Sequence, residues 1–211
     1  MISHLKRVAS AQAACALCCR FARSVRGVAA IEFAMIAPMM LMLFAGSLEF
    51  SQAVTVNRRV TQAASATADL MARAPAKGIT VAQVDRDLSI VKQLISPYDP
   101  QELTVNIASI KAVAVPGNPG ALNYIVDWSR DNKGGTPYPR NSPAPFGMPE
   151  NLLVAGESVI VGYAIYNYKP LILSYFITQA FTMEEKFYLK PRNASCVHLL
   201  PISCVDGHTI N

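Results

Sequence analysis

The chain has 211 residues, of which 52% are hydrophobic and 16% charged, a composition that favours attachment to a membrane over a free cytosolic protein. Its net charge of +5 resides in the first 27 residues, so the remainder is close to neutral and offers no basic patch for nucleic acid. The roughly 160 residues beyond the longest apolar run are enough for one small domain with its own core.

Residues 1–27 are predicted to be a basic leader without acids. The positive-inside rule places this leader in the cytoplasm and everything after the apolar run outside it. A conventional secretory signal fits poorly, because the run that follows is too long and lacks an Ala-x-Ala exit site. Cys15 and Cys18 form a single CxxC with one distant histidine, His4, which does not complete four ligands, so no metal site is predicted.

Residues 28–50 are predicted to be a transmembrane helix, since the 21 residues from Val28 to Leu48 are apolar with one charge, Glu32. A spanning helix needs about 20 such residues. A carboxylate at the centre of the span costs about 2.5 kcal/mol or more, and somewhat less near its end, so Glu32 calls for a partner. The plainer alternative is that Glu32 lies at the membrane boundary, where its side chain reaches the lipid–water interface or is protonated. Pro38 predicts a kink in this helix, because proline removes a backbone donor. The alternative is that Pro38 is needed for assembly with other subunits.

Residues 51–75 continue the helical pattern outward until Pro75 and Gly78 end it. Small and apolar residues recur three and four positions apart, as on the buried face of an amphipathic helix. They are Ala53, Val56, Val60, Ala63, Ala64, Thr67, Leu70 and Met71. A second helix is predicted over 80–95, where Thr80 and Gln83 have the spacing of a capping box.

The pattern then changes to period two, which predicts strands. The first runs over 103–115 with a bulge near Ser109, and the others are expected at 123–130, 158–168 and 182–189. Residues 170–180 fit a loop over the sheet or a short helix, and the tail from 190 to 211 reads as irregular. The predicted fold class is therefore α+β: a long N-terminal transmembrane helix extended outward, then an extracytoplasmic domain (76–211) of one helix on an antiparallel sheet.

Cys196 and Cys204 are eight positions apart and lie on the side of the membrane where disulfides persist. We expect a disulfide between them; the alternative is two free thiols. Enzyme chemistry has little support, because Cys196 beside His198 is a local proximity and does not make a nucleophile with a positioned base. The sequence predicts no catalytic residues, no metal site and no cofactor.

The segment from Arg26 to Phe33, RGVAAIEF, places a Gly after basic residues and a Glu five positions beyond it. It resembles the processing site of type IV pilin-like precursors, in particular the TadE/TadG-like family of tight-adherence (Flp-type) pilus assembly proteins. The similarity extends along the apolar run to Glu49-Phe50 and to three later pieces. These are the segments 127–130, 163–170 and 187–192.

The resemblance implies cleavage between Gly27 and Val28 by a prepilin peptidase, although some related proteins keep an uncleaved anchor. It implies that Glu32, followed by Phe33, serves subunit assembly by pairing with the Val28 amine of a neighbouring subunit. The implied partners are other pilin-like subunits, the Tad secretion machinery and membrane lipid, with the chain in a bacterial inner membrane, N-terminus inside. The alternative is a signal-anchored envelope protein that binds an extracytoplasmic ligand or partner.

Overall fold

The computed structural model describes residues 27–118, 121–149, 151–172, 174, 179–202 and 204. The predictions for the leader, including those for Cys15 and Cys18, lie outside the described residues. The chain divides into two compact units, Met1–Leu48 and Glu49–Asn211.

Helix α1 spans Val28–Ala72 and contains Pro38. Within the described part of the first unit, its large apolar side chains are exposed, including Phe33 at 69% and Leu43 at 74%. Among the described residues, α1 is the one helix long and apolar enough to cross a membrane. It is therefore compatible with a single-pass membrane anchor.

In the second unit α1 buries a stripe of mostly small residues against the sheet. The buried residues are Val56, Val60, Ala63, Ala64, Thr67, Ala68, Met71 and Ala72. Leu70, expected in this stripe, is instead 41% exposed. Alanines dominate because the helix lies very close to the sheet: a Cβ added at Gly162 would collide with the Ala64 carbonyl and come within 3.0 Å of the Ala68 amide nitrogen.

Strand β1 (Ile79–Thr80) leads into helix α2 (Val81–Val91), and a 3₁₀ turn (Lys92–Ile95) follows. The predicted capping box is present, since Thr80 accepts from the Gln83 amide while the Gln83 side chain accepts from the Thr80 amide. One face of α2 enters the core. Its other side is tied to the sheet by Arg130, which donates to both carboxylate oxygens of Asp85 at 2.7 and 2.8 Å.

A second 3₁₀ turn (Pro100–Glu102) precedes a four-stranded sheet. Its strands are β2 (Leu103–Ala114), β3 (Leu122–Asp131), β4 (Ser158–Tyr168) and β5 (Phe181–Leu189). They run antiparallel in the order β3-β2-β4-β5. The long apolar helix and the domain of helix and antiparallel sheet confirm the predicted α+β fold class.

Two details of the strands refine the prediction. The bulge falls between Ser109 and Ile110 as expected, but the extra residue is Asp127 on β3, because Ser109 pairs with Trp128 and Ile110 with Val126. The tail, predicted to be irregular, contains strand β6 (Leu199–Leu200), which pairs in parallel with β1.

The sheet has an apolar core on each face. Leu103, Val105 and Ile107 point to the side covered by α1 and α2, whereas Ala108 and Ile110 point to the opposite side. There they pack beneath the segment between β3 and β4, including Phe146 and Leu153. The second unit is thus a sheet covered by helices on one face and by a long connection on the other.

Candidate functional site

The four residues predicted at the processing and assembly site lie at the start of α1. Gly27 and Val28 are exposed, and a Cβ added at Gly27 would meet no atom within 4 Å. Glu32 and Phe33 follow one turn later and are also exposed. This part of the helix therefore presents the motif on an open surface.

A second acid of α1 occupies a very different environment. Glu49 comes directly after the apolar run and is the first residue of the second unit, yet only 7% of it is exposed. Its carboxylate accepts a hydrogen bond from the Tyr168 hydroxyl and from the backbone N–H groups of Leu171, at 2.9 Å, and Ile172, at 2.7 Å. Both carboxylate oxygens are used.

These donors make the burial of Glu49 tolerable. A carboxylate without partners in an apolar setting is very costly, and hydrogen bonds to its charged form offset that cost. Hydrogen bonds that involve an ionised group are also shorter and stronger than neutral ones. Burial and the bond to Glu49 raise the pKa of Tyr168 above its usual value near 10, so at neutral pH the Tyr168 hydroxyl is protonated and donates.

The local chain geometry explains how two consecutive amides reach one carboxylate. Strand β4 ends at Tyr168, and the buried Pro170 follows Lys169. Proline fixes its own φ and supplies no N–H, so the first two amides after it are those of Leu171 and Ile172. Lys169 turns away to form an ion pair with Glu102 at 2.7 Å.

We call the donors around the Glu49 carboxylate, from Tyr168, Leu171 and Ile172, the Glu49 cage. A cleft of about 280 Å³ opens beside it. It is lined by Gln52 of α1 and by tyrosines that include Tyr98 and Tyr168. The Tyr98 hydroxyl donates to the Gln52 side chain at 3.0 Å. This hydrogen bond ties α1, three residues beyond Glu49, to the segment between the two 3₁₀ turns.

The side chains that follow the cage face outward. Leu171 is 72% exposed, Ile172 41% and Phe181, which begins β5, 51%. The described residues of the 170–180 segment form bends and a turn. The backbone is therefore tied inward at Glu49 while the side chains of Leu171 and Ile172 remain uncovered.

Cys196 and Cys204 form a disulfide with their Cα atoms 6.6 Å apart. Their sulfurs and a ring nitrogen of His198 lie within 4.8 Å of one another, a donor set that could hold a metal if the sulfurs were thiolates. Here the sulfurs are bonded to each other, and Nδ1 of His198 accepts the Cys204 amide at 3.1 Å. The arrangement is therefore a disulfide crosslink that stabilises the tail.

The sequence pattern pointed to Glu32 as the functional acid and did not reveal that Glu49 ties α1 to the end of β4. A signal was present, because a Glu immediately after an apolar run needs compensation, and a Tyr and a Pro frame the turn that supplies it. The distance along the chain, more than 110 residues, is what hides the connection.

Comparison with known protein families gives a match over most of α1. Residues 27–69 match the model of a family described as TadE-like protein, which confirms the resemblance over this segment. The match contains the whole Gly27–Phe33 motif and Glu49, and it ends within α1, before the sheet. No curated protein and no solved structure matches the chain significantly.

Proposed function

We propose that this chain is a pseudopilin-like structural and assembly component of a Tad (Flp-type) pilus, anchored in the inner membrane by residues 28–50. The observation that carries the proposal is the TadE-like match over 27–69, which coincides with α1 and includes the motif from Gly27 to Phe33. The chain would act through protein–protein contacts with other pilin-like subunits and the Tad secretion machinery.

Two acids of α1, Glu32 and Glu49, support a division of roles. Glu49 accepts hydrogen bonds from Tyr168, Leu171 and Ile172 of its own domain, so its charge is compensated within the chain. Glu32 is exposed among exposed apolar side chains, where a charge in lipid needs a partner. The amine of Val28 in a neighbouring subunit, released by cleavage, would neutralise it.

The disulfide supports the proposed topology independently of the family match. Disulfides persist in oxidising compartments such as the periplasm and are rare in the cytoplasm. The second unit, Glu49–Asn211, is called the outer domain below. The bond between Cys196 and Cys204 favours a location of this domain beyond the inner membrane, with the basic leader inside. Protease added to spheroplasts should digest the outer domain; protection of that domain until the cells are lysed would contradict this topology.

Processing is tested by the mass of the membrane-extracted protein. With a co-expressed prepilin peptidase, the mature chain should begin at Val28, and N-terminal sequencing would identify that residue. A matched strain without the peptidase should retain the full mass. Equal masses in the two strains would exclude processing by this peptidase while leaving an uncleaved anchor possible.

Assembly is tested by Glu32→Ala in the native host. The variant should abolish pilus formation while the protein remains in the membrane at normal abundance. Met35→Ala, which changes a neighbouring exposed side chain without removing a charge, is the matched control. Normal pili in the Glu32→Ala strain would remove the pairing role.

A further inference from the structure

The Glu49 end of the outer domain exposes apolar side chains whose backbone is already satisfied. Leu171 and Ile172 are 72% and 41% exposed, and their N–H groups donate to the Glu49 carboxylate. In a lipid environment backbone polar groups must find partners within the protein, because the solvent supplies none. The pair thus shows apolar side chains outward and keeps these amides away from the solvent.

Chain connectivity fixes the level of this pair relative to a membrane span. Glu49 follows Leu48, the last residue of the 21-residue apolar run, so a bilayer crossed by that run ends close to Glu49. The amides of Leu171 and Ile172 lie within 3 Å of the Glu49 carboxylate. Both side chains are therefore held where the span leaves the hydrocarbon.

The residues around the pair are of the types that membrane interfaces favour. Tyrosines are enriched at the headgroup level, and lysines near the end of a span keep their charge at the interface. The half-buried Tyr98 and the exposed Lys169 line the cleft beside Glu49. Phe181 adds a third apolar side chain that is 51% exposed.

We propose that Leu171 and Ile172 form a second membrane contact, in which the outer domain inserts these side chains into the headgroup–acyl boundary of the bilayer that its own helix crosses. Glu49 positions the contact by holding both backbone amides. The inference rests on the proposed membrane anchor and adds to it a site for lipid. The outer domain is thereby held against the bilayer surface.

Depth measurements with a spin label test the proposal on the full chain. The leader cysteines Cys15, Cys18 and Cys19 are replaced by Ser, and the disulfide leaves no reactive thiol at the other two. Leu171→Cys is then labelled with a nitroxide, in nanodiscs of phosphatidylethanolamine and phosphatidylglycerol prepared with one chain per disc. Collisions with oxygen report lipid exposure, and collisions with a water-soluble nickel chelate report aqueous exposure.

Two further label positions make the outcomes distinct. Leu41→Cys lies in the apolar run, and Val154→Cys is a matched exposed site, 64% exposed, close in sequence to the start of β4, whereas Leu171 follows its end. The ratio of oxygen to nickel collisions at 171 should be several-fold above that at 154 and nearer that at 41. A value at 171 equal to that at 154, with lipid exposure at 41, overturns the contact and leaves the anchor standing.

Other results also decide the question. Aqueous exposure at both 41 and 171 would refute the anchor together with the contact. Protection of 171 from both reagents would mean burial against protein, which overturns the lipid contact. In a Glu49→Gln background the label at 171 should lose depth while the label at 41 keeps it, and unchanged mobility of the label at 154 would show that the domain remains folded.

Discussion

The Glu49 carboxylate accepts a hydrogen bond from the hydroxyl of Tyr168, 119 residues further along the chain. The bond joins the helix that follows the apolar run to the last residue of β4, at the end of the sheet where Leu171 and Ile172 add two more donors. Because Tyr168, Leu171 and Ile172 belong to the same compact unit as Glu49, these hydrogen bonds are part of the fold of the outer domain itself.

Glu49→Ala should destabilise the outer domain by about 3 kcal/mol, since it leaves a buried hydroxyl and two amides without their acceptor. Unfolding of the full chain in detergent, followed by circular dichroism, measures the change. Glu32→Ala is the matched control, because that acid is exposed on the same helix and should leave the outer domain's unfolding unchanged. Equal stability of the two variants would contradict the role given to Glu49.

Tyr168→Phe should remove an alkaline sensitivity of the outer domain. Burial and Glu49 raise the pKa of Tyr168 above its usual value near 10. The stability that comes from keeping the hydroxyl neutral is therefore fully present below about pH 10 and declines as pH rises above it, where the unfolded chain ionises first. The wild-type advantage over Tyr168→Phe should shrink above pH 10 in unfolding curves; a constant advantage to pH 11 would refute the coupling.

Gly162→Ala should destabilise the packing of α1 on the sheet by about 1–3 kcal/mol, the usual cost of overpacking a core. The added methyl would collide with the Ala64 carbonyl and crowd Ala68, so helix and strand must separate. Gly147→Ala is the control, since a Cβ there meets nothing within 4 Å. Thermal unfolding of both variants decides the point, and an unchanged transition for Gly162→Ala would mean that the contact yields at no cost.

The sequence predicted most of the elements because their signals are local. The helical period around Val56 and Val60, the Thr80–Gln83 capping box and the alternation along β2 each depend on residues a few positions apart. The fold class follows from these patterns without knowledge of any long-range contact.

What the sequence could not supply are contacts between distant residues. Asp127, the extra residue of the bulge, is set by the register of two strands, which the alternation along β2 alone does not fix. The pairing of β1 with β6 involves two residues on each side, too few for a periodic signal. The two amides that donate to Glu49 come from a segment whose apolar sequence fits either a loop or a helix.

The disulfide between Cys196 and Cys204 should hold the β1–β6 pair in place. A two-residue parallel ladder is too short to persist alone, and its register depends on the Ile79 amide, which donates to the His198 carbonyl at 2.9 Å. Closing a loop of this size is worth about 2.5 kcal/mol in the chain-entropy estimate. Reduction should therefore lower the unfolding free energy by about that amount.

Hydrogen exchange measured by mass spectrometry locates the effect. With reductant, the Ile79 amide should exchange faster, while amides at the centre of β2, such as Ile107, keep their protection until the domain unfolds globally. The double variant Cys196→Ala, Cys204→Ala should behave like the reduced protein and should not respond to reductant. Full protection of the Ile79 amide from exchange in that variant would mean that packing of the buried Ile79 side chain, rather than the disulfide, holds the β1–β6 pair in place.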